Sequence, residues 1–584
     1  MKPPPPPSLS DTISLETDVK RPRIYPETSS SNSESPSDPA LSGGDTAARH
    51  PIAGSSTTEV DDEDDGIPTT VGASEVDEST IRRLTLLLEK RALVNQEART
   101  KFPDQPKRFM QSEVDLQETL EEMQILAANP SLYPVLAAQT RPISLLLGLL
   151  AHENTDISLS VIDLLHELLE PNGLTEAGPS RVNPLLDLLF NGQLIQLLMQ
   201  NVSRLDETKK DEADGVHKTL GIVENLLDVR PEMNVTMSNQ GLFSWLLRRI
   251  QRKPAFDRNK LYVSELLSIL LQLDETNRRH LGQVDGIDIL LQQLAVYKRH
   301  DPASREEMEL MHNLFDCLCS ALMLPENKDR FLKGEGIQLM NLMLREKHMS
   351  RDSALRVLDY ALCLVAPTST ASASSSTEND PEMPTKSSMN ADPEAVVVAN
   401  CSKFVESPRT KKTLGGPSAA EMEEHIINII GALLRHCPSA LKSRLLAKFV
   451  ESDHEKVDRL VELHLKYFSQ VKSVDSRIRA MREDKQRWTG YTPEEIEDEL
   501  MVEHLSSGLL ALQMLDIIAL DICVNGAPTI MDRLLQLLKM RSVSPRTIVQ
   551  VVQDHVDSLG EAVTAESEKS RLNDLIRTFT AKLP

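Results

Sequence analysis

The chain has 584 residues, with 64 Lys and Arg against 88 Asp and Glu, a formal charge of −24. That balance argues against general binding to a nucleic-acid backbone, which needs clustered cations, and suits a protein that meets basic partners. Aromatic residues make up only 3%, few for the core of a β-sandwich or barrel, whereas stacked helices fill readily with leucine.

Residues 1–78 are rich in Pro, Ser, Thr and acid. They hold too little apolar surface to offset the entropy of ordering, so a disordered tail is expected. The opening MKPPPPPSLS lacks the apolar core of a signal peptide. Two charged features stand out in the tail. KRPR (Lys20, Arg21, Pro22, Arg23) is a short basic cluster of the nuclear-localisation kind, and EVDDEDD is an acidic run.

From residue 79 the pattern turns helical. STIRRLTLLLEKRALVNQEART places Ser79 as an N-cap before leucines at helical spacing. Between residues 141 and 365 a phrase recurs, built on Gly192, Gly241, Gly286 and Gly336 at gaps of 49, 45 and 50 residues. Each time a short helical segment leads to the glycine, a medium leucine-rich helix follows, and a loop and a longer helix close the unit. Leucines on the second and third helices cannot be covered within one unit, so neighbouring units stack into a solenoid. The glycine is expected to let the chain turn sharply between the first two helices, where a side chain would clash. The period and order are those of armadillo repeats, whose third helices line the concave face. The fold class predicted is all-α, an armadillo/HEAT-like α-solenoid.

Residues 366–400 are Ser/Thr-rich and read as a flexible insert. Residues 401–584 return to helices, including DHEKVDRLVELHLKYFSQVKSVDSRIRAMRED with Leu460, Leu463 and Tyr467 on one stripe. LLALQMLDIIALDICV comes nearest to a membrane span, but Asp516 and Asp521 interrupt it.

Importin-alpha-type grooves hold basic peptides on a ladder of Trp and Asn along the third helices. Here Asn225 falls at an Asn position, but Gly221 occupies the Trp position. In the preceding unit Glu167 and Asp163 stand at those two places, and Ile269 and Ser320 replace the Asn further on. Neither Trp245 nor Trp488 lies on such a helix. A nuclear transport adaptor of that type is therefore the second reading. What remains is acid: Asp163, Glu167, Asp206, Glu207, Asp211, Glu212, Asp214, Glu224 and Asp228 lie on or near these helices. With Asn225 they make up the candidate binding face for Lys/Arg-rich segments, drawn in by charge.

No catalytic constellation appears. There is no GxxxxGK[ST] loop, GxSxG elbow or HExxH helix, and no cofactor is expected. The six cysteines (Cys317, Cys319, Cys363, Cys401, Cys437, Cys523) form no disulfide framework, which points to a reducing compartment. Cys317 and Cys319, near His312, read as core thiols rather than metal ligands.

KFPDQPKRFMQSEVDL, DEADGVHKTLGIVEN, DGIDILLQQL, RFLKGEGIQLMNLMLREK and ESDHEKVDRLVELHLKYF resemble the beta-catenin-like protein 1 family from about residue 79 onward. KRPR matches that family's N-terminal import signal. The resemblance implies a nuclear protein with a helical N-terminal cap (79–140), central armadillo repeats (141–365) and, after the insert, the solenoid end with a helical C-terminal domain (401–584). It implies association with the spliceosome through the Prp-nineteen complex, binding of basic segments of partners such as its Cdc-five-like component, and self-association as a homodimer. No direct nucleic-acid binding and no membrane are expected. One departure stands out: CSKFVE runs directly into SPRTKK, where family members insert an apolar helix of roughly a dozen residues, one helix of an armadillo unit.

Overall fold

The computed structural model describes residues 77–252, 256–346, 348–362, 418–483, 488, 492–560 and 563–583. The Lys20–Arg23 cluster, the acidic run, the Ser/Thr-rich insert and the junction after Glu406 lie outside the described residues. No strand occurs among the residues described.

Helices α1 (Glu78–Lys101) and α2 (Pro106–Met123) pack against each other through Leu84, Leu88, Leu116 and Leu120. The cap of α1 is Asp77, not Ser79. The Asp77 carboxylate accepts from the Thr80 N–H at 2.8 Å, and the Ser79 hydroxyl donates to it from inside the first turn. A carboxylate also suits the positive end of the helix.

The units then follow in order. Helices α3 (Tyr133–Ala137), α4 (Thr140–Leu149) and α5 (Thr155–Leu168) precede a short α6 (Pro171–Ala177). Next come α7 (Pro179–Asn191), α8 (Leu194–Arg204) and α9 (Lys210–Val229), then α10 (Asn234–Met237), α11 (Phe243–Gln251) and α12 (Arg258–Leu273). Helices α13 (Glu275–Gln283), α14 (Gly286–Leu294) and α15 (Arg305–Ala321) form the next unit, and α16 (Pro325–Lys333), α17 (Gly336–Arg345) and α18 (Ser350–Leu362) the one after. The long third helices stack in one row, α5 on α9, α9 on α12, α12 on α15 and α15 on α18. Helix α2 covers the free side of α5 at one end of the row, and α19 (Ala419–His436) continues it beyond α18. This is an all-α solenoid, its leucines shared between neighbours.

The repeated glycine works differently from the expectation. Only Gly241 itself has a positive φ, 100°. In the other units the left-handed residue is its neighbour: Gln193 (φ 59°), Asp285 (φ 56°) and Glu335 (φ 59°). Gly286 and Gly336 are required by close approach. A Cβ on Gly286 would sit 2.3 Å from Leu281 Cδ1, and one on Gly336 2.2 Å from the Phe331 ring. Phe331 is almost fully buried and cannot yield. Gly336→Ala is therefore expected to destabilise the chain by about 1–3 kcal/mol through overpacking, read as a lower urea midpoint.

A second repeated device joins the units. Buried Asn277 donates from Nδ2 to Leu270 O and to Asn234 Oδ1, both at 3.0 Å. Asn327, one unit on, donates to Ala321 O at 3.0 Å and to Arg278 O at 2.8 Å. Each side chain satisfies a carbonyl at the end of the preceding third helix and ties its own first helix to the one before. Asn201 and Asn234 match the N-glycosylation pattern, yet both are buried and donate to Leu150 O and Pro231 O.

After α20 (Ser439–Lys448), the helix Glu451–Glu483 (α21) buries Leu460, Leu463 and Tyr467. Helices α22 (Pro493–Ser506), α23 (Leu509–Asn525), α24 (Pro528–Met540), α25 (Arg546–Ser558) and α26 (Val563–Ala581) complete the chain. Helix α23 is apolar nearly all round and packs on α19, α21, α25 and α26, the signature of a central core helix. No single helix among the described residues is long and apolar enough to cross a membrane. The two carboxylates of α23 are buried and partnered, Asp521 with Lys442 Nζ at 2.9 Å and Asp516 with His464 Nδ1 at 2.5 Å.

Candidate functional site

The third-helix row brings the sequence-predicted residues onto α5 and α9, in unequal states. Asp163 on α5 is half-buried and accepts from Lys218 Nζ on α9 at 2.7 Å, so its charge is already met. Glu167, one turn on, is exposed. Asp211 is exposed at the start of α9, and Asp214 is half-buried in the next turn.

Glu212 does not join them. It is 9% exposed and turned into the α8–α9 loop, accepting from the Asp206 N–H at 2.7 Å and Lys209 Nζ at 2.8 Å. Those two donors, the backbone N–H foremost, hold its carboxyl below the usual range. Glu207 is likewise structural, bonded to the buried Arg249 from Nε at 2.8 Å and Nη2 at 2.9 Å.

The remaining acids gather where α9 meets α12. The Tyr262 hydroxyl on α12 donates to Glu224, which together with Asn225 is half-buried on α9, while Asp228 is exposed one turn further along. Burial pushes the Tyr262 phenol up, reinforced by Glu224 and then by Glu265 and Asp228. Three carboxylates thus act on one hydroxyl. Gly221 makes this approach feasible: a Cβ there would meet His166 Nε2 at 3.2 Å and Tyr262 Oη at 3.4 Å. Where a ladder Trp would stand, a histidine and a tyrosine from the neighbouring helices close over a glycine. His217 packs beside Tyr262, ring centroids 5.0 Å apart.

Tyr262, Glu265 and Lys218 escape the sequence reading. Their only signal is position: α12 and the inner turns of α9 face the same stack, but pairing across helices cannot be read from one helix at a time. Further along the row the acids again have partners, Asp316 an ion pair with Arg356 and Asp359 a hydrogen bond with His425 Nδ1 at 2.8 Å. Cys317 and Cys319 are buried, and burial pushes the Cys319 thiol up to about 12. Among the described residues no group of His, Cys, Asp and Glu is arranged to hold a metal.

The C-terminal helices bury a carboxyl whose proton affinity is changed by folding. Asp516 is fully buried, and burial raises it to about 6 despite the facing His464. A carboxyl raised above its unfolded value of 3.8 binds its proton more tightly when folded. Stability from this group is therefore greatest in acid and declines as pH rises through about 6. Asp516→Asn is expected to flatten this dependence relative to the parent between about pH 4 and 6, measured as urea midpoints.

An unbroken row of third helices with an open polar face defines an armadillo-repeat protein, a class of protein-binding scaffolds. The model of a family described as "Catenin-beta-like, Arm-motif containing nuclear" matches residues 57–378 and 397–553. The chain belongs to that family. It is 44% identical to beta-catenin-like protein 1 of Bos taurus over 520 residues, covering 86% of each chain. To the Homo sapiens protein it is 43% identical over the same span and coverage. The beta-catenin-like protein 1 homolog of Schizosaccharomyces pombe is 30% identical over 503 residues, 85% of this chain and 81% of that one. A solved structure from work on the interaction between cadherin and beta-catenin superposes with a TM-score of 0.43 at 15% identity, over 73% of this chain and 68% of that one.

Proposed function

We propose that this protein is a nuclear, non-catalytic scaffold of pre-mRNA splicing, associated with the Prp-nineteen complex. Its acidic third-helix face docks Lys/Arg-rich, nuclear-localisation-like segments of partners such as the Cdc-five-like component. The observation that carries the docking reading is the cluster of Glu224, Asp228 and Glu265 around Tyr262, with exposed Glu167 on the adjoining α5. Such a field raises the encounter rate of cations and orients them. Asp211, Asp214 and Asn225 extend the face along α9, and Asp163 takes part through exchange with Lys218. The family's description as nuclear and the Lys20–Arg23 cluster support the location, and the splicing association and self-association rest on the family resemblance.

The test is affinity purification of the full-length protein from nuclear extract. Recovery of splicing factors that bear basic segments is the expected result. Recovery of importin-beta with mixed cargo and no splicing factors would overturn it in favour of a transport adaptor. Replacing Lys20, Arg21 and Arg23 with alanine is expected to move a fluorescent fusion from the nucleus to the cytoplasm.

A further inference from the structure

Helix α22 carries apolar residues on two opposite sides, and only one of them is covered. The inner side rests on α21. There Leu500 joins Ile478 and Trp488 in a small buried cluster apart from the main core, with Ile496 packed against it. Charge fixes the same orientation: Glu497 pairs with Arg482 at 2.7 Å, Glu503 with Arg477, and His504 Nε2 with Asp475 at 2.7 Å, all three partners on α21.

At 3.6 residues per turn, the opposite side is made of Glu494, Asp498, Met501, Val502 and Leu505. Met501, Val502 and Leu505 are between 38% and 58% exposed. Single exposed apolar residues are ordinary, but three that adjoin at i, i+1 and i+4 form a stripe, and a stripe of this kind marks a surface that meets a partner. Leu510, just past the bend into α23, is exposed as well. Asp498 and Glu494 lie one and two turns nearer the N-terminus. Both are exposed, and neither enters an ion pair among the described residues. Glu495 beside them is taken up by the helix cap, its carboxylate accepting from the Thr492 N–H at 2.7 Å. The outer face is thus divided along its length, acidic in its first half and apolar in its second.

We infer that this face of α22 docks an amphipathic helix of a partner protein, whose apolar stripe covers Met501, Val502 and Leu505 and whose Lys or Arg residues, one to two turns further along, meet Asp498 and Glu494. Charge complementarity selects that occupant, since a purely apolar helix leaves the acidic half unanswered and an acidic one is repelled by it. A second copy of α22 does not fit either. Laid parallel, it sets Glu494 and Asp498 against their own like; laid antiparallel, it sets them against Met501 and Leu505. This surface takes its partner by apolar burial with charge fixing the register, and it shares no residue with the acidic face of α5, α9 and α12.

Calorimetric titration of the full chain with a short synthetic helical peptide, carrying a leucine stripe and lysines at one end, tests this. The same peptide with glutamates in place of the lysines is the control and is expected not to bind. Met501→Gln with Leu505→Gln is expected to weaken binding of the lysine peptide at least about tenfold, and Glu494→Lys with Asp498→Lys severalfold, both at unchanged circular dichroism. Glu224→Lys with Asp228→Lys is expected to leave it unchanged. No binding, or binding that the Met501 and Leu505 substitutions leave intact, overturns the proposal. So does binding lost in the Glu224→Lys, Asp228→Lys variant, which assigns the peptide to the third-helix face. A dimer in sedimentation that the Met501→Gln, Leu505→Gln variant abolishes gives the face to a second copy and overturns it too.

Discussion

Replacing Glu423 with alanine is expected to destabilise the folded chain by about 3 kcal/mol, because it removes the buried carboxylate of the pair and leaves the buried Arg459 with only the exposed Glu462. Glu423 lies on α19 and is 2% exposed. Its carboxylate accepts from Arg459 Nη2 at 3.0 Å, Lys466 Nζ at 2.6 Å and Tyr467 Oη at 2.9 Å, all on α21. One side chain therefore fastens the end of the third-helix row to the C-terminal helices. Lys466 is 40% exposed and reaches water when released, but Arg459 is 12% exposed and does not. Glu423→Gln keeps the shape and part of the hydrogen bonding, so its loss is smaller. Urea unfolding followed by circular dichroism measures both. A loss under about 1 kcal/mol for the alanine variant would place the cluster among solvent-screened surface pairs and contradict the role assigned to it.

Reversing Glu224 and Asp228 to lysine together is expected to weaken binding of a Lys/Arg-rich peptide by about tenfold or more. A single exposed charge contributes only about 0.2–1 kcal/mol. Reversal, however, replaces attraction by repulsion at two sites that already act together on Tyr262. Asp163→Lys is expected to do less, since Lys218 occupies that carboxylate at 2.7 Å. Glu212 is the wrong residue to reverse: its loss would open the α8–α9 loop, and weakened binding would report misfolding.

The repeat architecture is legible in the sequence because stacking imposes it. Gly286 and Gly336 recur since Leu281 and Phe331 leave no room for a Cβ, and the leucines of each third helix keep the spacing that the next helix demands. The left-handed corner residues are less legible: Gln193, Asp285 and Glu335 are ordinary polar residues whose conformation is set by the helices on either side. The Asn277 and Asn327 staples reach across units and show no local pattern. The acidic face is half legible. Charge on α5 and α9 is evident, but whether a carboxylate faces out like Asp228, pairs across the stack like Asp163 or closes a loop like Glu212 depends on contacts that sequence distance hides. Tyr262, which organises the cluster, contributes nothing to a count of charges.

The most direct measurement is a calorimetric titration of the full-length protein with a Lys/Arg-rich peptide of the nuclear-localisation type at low and at high salt. Docking on the face formed by α5, α9 and α12 predicts saturable binding that weakens steeply as salt rises and that falls by about tenfold or more in the Glu224→Lys, Asp228→Lys variant. No binding at low salt, or binding that neither salt nor the double reversal changes, would contradict it.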